Sequence, residues 1–324
     1  TQGVSSAASD VYKRQAPSLL EQLENPKEDV SVRVDDRVIK LTNLGKTLWP
    51  TSDESPAFSK RDLIAYYVRM ADTLIHHLSG RPISCVRLPE GLGGERFFQK
   101  HWDKALPEWV STVPIYSSSN DKTKPYVLID HVSTLIWLGQ MSVMEIHPWY
   151  SRVSLDGGAE MAGTDTWTDE AALNASALSY PDFIVIDLDP MLRAGHENEN
   201  EEPALNRDAW KMVVDVAEGV RGMLEGVGLR GYPKTSGKAG LHIYVPVQRL
   251  YEYQSARLVC ETFGRHLERL MPDKVTMEWV VKKRPDKVFF DHNQNVRGKT
   301  LSGPYTVRAL PLIHISEPTR PERI

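Results

Sequence analysis

FIVIDLDP, running from Phe183 to Pro190, is the stretch on which the reading of this chain turns. An apolar run leads into two carboxylates spaced by two, and side chains alternate faces along a strand. Asp187 and Asp189 are therefore expected on one side of a buried strand, close enough to share divalent cations. The plain alternative is a solvated strand end or an Asx turn, and the pair by itself does not decide between them.

Two elements further along the chain shift the balance. The loop Ser236-Gly237-Lys238-Ala239-Gly240 joins two strand-like runs in GYPKTSGKAGLHIYVPV. Its glycines let backbone approach a ligand closely, Ser236 and backbone N–H groups can bind phosphate oxygens, and Lys238 adds charge, with His242 on the outgoing strand. The loop is not a P-loop, which needs glycine where Tyr232 stands and Ser or Thr where Ala239 stands. Taken singly, these residues also suit an ordinary hairpin turn and a core histidine. A last strand, KVFFDHNQN, carries Asp291. Three acids at strand ends are what two-metal phosphoryl transfer needs: cations roughly 3.5 to 4 Å apart, held by bridging carboxylates. Together with the loop they describe a metal-triphosphate site.

The chain has 324 residues, 41% hydrophobic and 25% charged, enough for one large domain or two modest ones. With a formal net charge of -4, any nucleic-acid contact must come from a local basic face. Cys85 and Cys260 stand far apart, which argues against a disulfide framework or a cysteine-rich zinc site and suits a reducing compartment, so a cytoplasmic location is expected. No apolar run approaches the roughly 20 residues that cross a bilayer, and no secretory signal is recognisable; neither membrane insertion nor export is expected.

Residues 1–15 and 313–324 contain VSSAASDVYKRQ and IHISEPTRPERI, which resemble translated adapter sequence and are set aside from the fold. The expectation is a fragment whose native sequence continues beyond one or both ends. VSVRVDDRVIKLTN (Val30 to Asn43) reads as a hairpin about Asp35-Asp36. Ser59-Lys60-Arg61-Asp62 fits a capping box, and Leu63, Ile64, Tyr67, Met70, Leu74 and Leu78 follow at helical spacing up to Gly80-Arg81-Pro82. Short strands, the segment RFFQKHW and the apolar helix VSTLIWLGQMSV lie between Ile83 and Pro148. Residues 16–155 form an N-terminal part, the polar stretch 156–180 an internal boundary, and 181–312 a catalytic part. In the last, HENENEEPALNRD reads as a solvated loop, Trp210, Val213, Val214, Ala217, Val220, Leu224 and Val227 mark one helix, and Leu258, Phe263, Leu267 and Leu270 another. Strands and helices in this order give an α+β fold.

In sequence order, DLDP, TSGKAGLHIYVP, VFFDHNQN and YTVRA resemble the polymerase domain of bacterial DNA ligase D, a branch of the archaeo-eukaryotic primase superfamily. The resemblance runs from LTNLGKTLWP (Leu41 to Pro50) to Arg308. It implies a primase-polymerase fold of mixed β-sheets with packed helices. It also implies a DNA-repair nucleotidyltransferase that adds NTPs or dNTPs to a primer 3'-hydroxyl at gaps and double-strand breaks in non-homologous end joining. By the same resemblance, Asp187, Asp189 and Asp291 are the catalytic metal triad, holding two Mn2+ or Mg2+. His147, in EIHPW, meets the incoming nucleotide, and Ser236, His242 and Arg308 its phosphates, with Lys238 beside them. Many members place that lysine three residues after the serine, whereas Lys238 stands two after Ser236.

Lys46 (LGKTLWP) and Lys60 (FSKRD) match lysines that bind the downstream 5'-phosphate, Phe97 and Phe98 (RFFQK) an aromatic pair that stacks on template bases, and Arg284 (KKRPDK) a loop that reaches toward the DNA end. Without the resemblance, Lys60 reads as a solvated first-turn lysine, one Phe as core and the KKRPDK cations as a solvated turn. Ku and a DNA ligase are the implied protein partners; the chain has no KxDG motif, so nick sealing is not expected of it. Sugar preference stays open.

Three rivals fit less of the pattern. A haloacid-dehalogenase-like phosphatase uses the first Asp of a DxD as nucleophile but wants Thr or Val after the pair, where Pro190 stands. A DxD glycosyltransferase has no obvious place for SGKAGLH or a third strand-borne Asp. A non-enzymatic nucleic-acid binding module would leave three aligned acids repelling phosphate.

Overall fold

The structure, a computed structural model, describes residues 19–52, 55–118, 121–154, 169–190, 207–280, 283–284 and 286–310. Both adapter-like tails, much of the polar stretch and most of the acidic run lie outside the described residues. The chain divides into two compact units, one of residues up to Ser179 together with 300–310, the other Tyr180–Lys299. The segment expected to close the catalytic part, with Arg308, thus belongs to the first unit.

In the first unit, β1 (Val30–Val34) and β2 (Arg37–Leu41) form the expected hairpin, burying Val32, Val34, Ile39 and Leu41, with Asp35 at φ 54° in the turn. β3 (Thr47–Trp49) pairs with β4 (Phe58–Ser59), which leads directly into the helix Lys60–Arg69. The capping box is present: the Ser59 side chain accepts from the Asp62 N–H, and Asp62 Oδ2 accepts from the Ser59 N–H at 2.7 Å. The expected single helix is two, because Met70 at φ −97° and ψ 6° interrupts it before Ala71–Leu78. The apolar spacing runs through the break because both helices bury one side, Leu63, Ile64 and Tyr67 in the first, Leu74 and Leu78 in the second. Spacing reports burial, not backbone continuity.

The main sheet of this unit has the order β6 (Phe97–Gln99), β5 (Ile83–Arg87), β8 (Lys122–Val127), β7 (Thr112–Ser117), with β9 (Val143–Pro148) also pairing β5. The helix Val132–Gln140 approaches the helix Lys60–Arg69 so closely at Gly139 that a Cβ there would meet Ile64 Cγ1 at 2.7 Å. A short helix, Glu170–Ala175, capped by Asp169, lies within the polar stretch expected as an internal boundary.

The second unit is one five-stranded sheet in the order β11 (Tyr232–Thr235), β12 (Leu241–Pro246), β10 (Phe183–Pro190), β14 (Val288–Asp291), β13 (Val275–Thr276). Only the β13–β14 pair is parallel. FIVIDLDP is the central strand. Its residues Ile184, Ile186 and Leu188 share a core with Val213, Val216, Val220 and Leu224 of the helix Arg207–Gly226 and with Ala256, Cys260 and Leu267 of the helix Tyr253–Leu270. Each fully buried aliphatic chain of this kind stabilises by about 1.5–3 kcal/mol, so the helical layer anchors one face of the sheet and leaves the other free to carry charge. Leu258 and Leu270, expected in this core, are 64% and 60% exposed, on the far side of their helix. Among the described residues, no helix is long and apolar enough to cross a membrane.

Candidate active site

The alternation expected of FIVIDLDP places Asp187 and Asp189 opposite the helical layer. Strand register then builds a row. Asp187 is the cross-strand partner of Asp291 on β14 and of His242 on β12, and His242 is the partner of Lys234 on β11. Directly opposed residues present their side chains on the same face, so Lys234, His242, Asp187 and Asp291 line up across four strands. His242 Nε2 stands 3.6 Å from Asp187 Oδ1. Lys234 carries no motif, and only the register brings it into line.

Two of the three expected acids, Asp187 and Asp291, are joined through the turn that follows β14. Asp291 caps the short helix His292–Gln294 by accepting from the Asn293 N–H at 2.8 Å, which brings Gln294 back over the row. Gln294 Nε2 donates to Asp187 Oδ2 at 3.3 Å and to Asp291 Oδ2 at 3.2 Å. The next residue, Asn295, pairs through its amide with both the N–H and C=O of Val185, at 2.8 Å each, serving β10 as a neighbouring strand would. Burial first, then the charges of Asp189 and Asp291, raise the Asp187 carboxyl well above its usual range, against the opposing Gln294 hydrogen bond and Lys234. Asp189 is exposed, yet partial loss of hydration and the charge of Asp291 raise its carboxyl as well, against the opposing charges of Arg284 and Lys238.

These contacts suit a divalent cation. Asp187 Oδ1 is buried without a hydrogen-bond donor, and hard carboxylate oxygens that repel one another are the donor set such a cation prefers. Among the described residues, no group of three or more His, Cys, Asp or Glu side chains is placed to hold a metal ion together, so Asp189 does not join the Asp187–Asp291 pair in one cluster. Here the positive end of the Gln294 amide dipole serves the two carboxylates.

The Ser236–Gly240 loop abuts this row. A Cβ on Gly240 would come within 2.7 Å of both Asp189 Oδ1 and the Leu188 carbonyl, so glycine is required by close approach. Ser236 is buried, and its hydroxyl accepts from the Lys238 N–H at 3.2 Å and the Gly240 N–H at 3.0 Å, while Gly237 adopts φ 80°. Lys238 is exposed, and its charge acts on Asp189. Arg284 is not in a solvated turn: it is 7% exposed, donates to the carbonyls of Glu278 and Trp279, and stacks 3.4 Å over the Phe289 ring. This buried guanidinium holds the backbone of Glu278 and Trp279 and lends charge to Asp291 and Asp189.

In the first unit, His147 and Arg308 meet on a residue that sequence reasoning passed over. Glu145 is fully buried; its Oε2 takes the His147 Nε2 at 2.9 Å, and its Oε1 takes the Ala309 N–H at 3.0 Å, Arg96 Nη2 at 3.1 Å and Arg308 Nε at 3.4 Å. Burial pushes this carboxyl up, but the His147 hydrogen bond, the Arg308 charge and the Ala309 N–H outweigh it and hold it at about 2. The signal was present in EIHPW: Glu145 and His147 are two apart on a strand, the spacing that singled out Asp187 and Asp189.

Lys46 and Lys60 are brought together by the β3–β4 pair, the Lys60 N–H donating to the Lys46 carbonyl at 2.8 Å. Lys60 is 6% exposed, its Nζ on the Thr42 carbonyl at 3.2 Å, so it is no solvated lysine. Its pKa is lowered by burial and by Lys46, whose own Nζ pairs with Glu90 at 2.7 Å. Phe97 and Phe98 on β6 are both exposed, at 43% and 58%, and neither is core. The Phe98 ring stands edge-on to His147, with centroids 6.0 Å apart.

Known proteins resemble this chain over most of its length. The family described as "LigD, primase-polymerase domain" matches residues 59–324. The multifunctional non-homologous end joining DNA repair protein LigD of Mycobacterium tuberculosis is 30% identical over 271 residues, 83% of this chain and 31% of that protein. The Pseudomonas aeruginosa LigD is 31% identical over 273 residues, 84% of this chain and 28% of that protein. The chain thus spans about a third of the length of the curated relatives it matches. The polymerase domain of Mycobacterium tuberculosis ligase D, solved in complex with DNA, matches with a TM-score of 0.69 at 29% identity, covering 85% of this chain and 84% of that one.

Proposed function

The chain belongs to the LigD primase-polymerase domain family, and on that premise we propose that it is a DNA-repair nucleotidyltransferase that adds NTPs or dNTPs to a primer 3'-hydroxyl at gaps and broken ends. The observation that carries this reading is the convergence of Asp187 and Asp291 on one Gln294 amide, with Asp189 and the Ser236–Gly240 loop beside them. Neither the phosphatase nor the glycosyltransferase reading is favoured by any relative, and the enzyme class follows from the family.

Divalent-cation dependence is general to the family. We assign Mn2+ or Mg2+, two per site, to the oxygens of Asp187, Asp189 and Asp291. The chemistry such a pair supplies is activation of the 3'-hydroxyl and neutralisation of charge as pyrophosphate departs. The chain's own residues prepare it. Asp187 and Asp291 are held rigid by the sheet ladder, and Gln294 keeps their oxygens turned toward each other. Ser236, His242 and the N–H groups of the loop are assigned to triphosphate oxygens, with Lys238 adding positive charge. The arrangement needs no side-chain general base.

In the first unit, His147 and Arg308 are assigned to the incoming nucleotide, Lys46 and Lys60 to a downstream 5'-phosphate, and Phe97 and Phe98 to template bases. Support comes from the closeness of the two lysines, whose backbones are hydrogen-bonded, and from the exposure of both rings. Arg284 is assigned to the DNA end. DNA ends, Ku, a DNA ligase and a cytoplasmic, nucleoid-associated location complete the proposal.

Primer extension with labelled gapped DNA, manganese and each NTP or dNTP tests it. The wild type is expected to extend the primer, and an Asp187→Ala, Asp189→Ala double variant to fall to background; equal extension by both would sink the assignment.

A further inference from the structure

The first unit contains a buried carboxylate to which the family reading gives no part. Glu145 sits on β9, and each of its oxygens is directed to a different segment: Oε2 to His147 on the same strand, Oε1 to Arg96 ahead of β6 and to Arg308 and Ala309 in 300–310. The same last segment is tied to the same strand by the Gly303 N–H, which donates to the Ile146 carbonyl at 2.9 Å. A carboxylate with no exposed surface gains nothing from solvent, so its charge is balanced by these donors alone.

The chemistry of the His147 contact follows from what Glu145 can do. An ionised carboxylate only accepts, so at neutral pH the proton between Glu145 Oε2 and His147 Nε2 belongs to the imidazole. The neutral ring is thereby fixed in the Nε2–H tautomer, and Nδ1 is left as the acceptor. Arg308 forms an ion pair with the other oxygen of the same carboxylate, its Nε 3.4 Å from Oε1.

We propose that Glu145 is the positioning residue of the nucleotide subsite, fixing the tautomer of His147 and the placement of Arg308 through one shared carboxylate. This rests on the nucleotidyltransferase reading for what the two residues bind, but the Glu145–His147 relation stands on its own geometry. Glu145 itself touches no nucleotide in this account. Removing its charge is expected to loosen two nucleotide contacts at once, which removing either contact residue alone would not do.

The test begins on the unliganded wild type, with nitrogen-15 spectra of its histidine rings. In its neutral form His147 should show the Nε2–H tautomer; a neutral ring in the Nδ1–H tautomer overturns the proposal without any variant or substrate. In Glu145→Gln, which keeps the volume, the ring should become a mixture of tautomers, and KM for the nucleotide should rise about tenfold or more with kcat changed less. Glu145→Asp, which keeps the charge, should restore part of the loss. Retention of both the single tautomer and a KM within about twofold in folded Glu145→Gln overturns the proposal, and so does a Glu145→Asp no better than Gln. If the wild type incorporates no nucleotide at all, the nucleotidyltransferase reading fails, and the ring spectra still decide the Glu145–His147 relation.

Discussion

Asp187 and Asp291 are direct register partners across β10 and β14, and a single amide nitrogen, that of Gln294, hydrogen-bonds to both carboxylates at 3.3 and 3.2 Å. Like charges opposed on adjacent strands are destabilising, and in the unliganded protein the amide offsets part of that cost. Gln294→Leu should therefore lower metal-free stability by about 1.5–3 kcal/mol, the usual worth of hydrogen bonds to charged groups. Thermal melting with and without manganese checks this. The deficit should shrink when the cation is supplied, and a deficit that manganese does not alter would mean the amide acts only on the turn.

Asp187→Asn should raise metal-free stability while abolishing primer extension. The wild-type carboxyl is raised in the folded protein, chiefly by burial, then by Asp189 and Asp291. The folded state therefore holds its proton more tightly than the unfolded chain does, and stability falls as pH rises from the usual carboxylate value through the raised one. Urea unfolding between about pH 4 and pH 8 should show this slope in the wild type and a flatter one in the variant. Parallel slopes would contradict the assignment.

Lys46→Met with Lys60→Met should weaken binding to gapped DNA about tenfold or more when the downstream end carries a 5'-phosphate, and change it less than about twofold when the end is a hydroxyl. Methionine fills the room of the Lys60 stem, which is buried, so folding is preserved better than with alanine. Fluorescence anisotropy on the two duplexes separates the cases. Equal losses on both would remove the end-recognition role and leave a general phosphate contact.

Phe97→Ala and Phe98→Ala should each leave folding stability within about 0.5 kcal/mol, because both rings are exposed. Affinity for a template overhang should fall by about 1–3 kcal/mol per ring if bases stack there. An unchanged overhang affinity with unchanged stability would make both rings bystanders.

The acids were legible because strand alternation is a strict geometric rule: two carboxylates two apart on an apolar strand can hardly face different ways. Asp291 joined them through the same logic on a second strand. Gln294 was not legible, since its importance comes from a short helical turn after Asp291 that no charge or period announces. Lys234 required knowing the β11–β12 register, which is a property of the turn between them. Glu145 was hidden by its setting, an apolar strand whose neighbours are core, and its partners Arg308 and Ala309 lie far along the chain. Leu258 and Leu270 misled in the opposite sense, apolar residues at helical spacing that face solvent. The inward turn of Arg284 depends on the Phe289 ring and two carbonyls, contacts that only the folded chain brings together.

The segment 300–310 belongs with strands made long before it, its Ala309 N–H meeting a carboxylate 164 residues earlier. During synthesis, β9 leaves the ribosome with Glu145 lacking that donor and Arg308, and it must wait for the whole of the second unit to be translated before they arrive. Pairings of such long sequence separation form late and slowly. A chain stopped after Lys299 would contain Asp187, Asp189 and Asp291, yet leave its first half with a buried charge and no complete set of partners. Loss of solubility in such a truncation would therefore originate in a strand that the cut never touched.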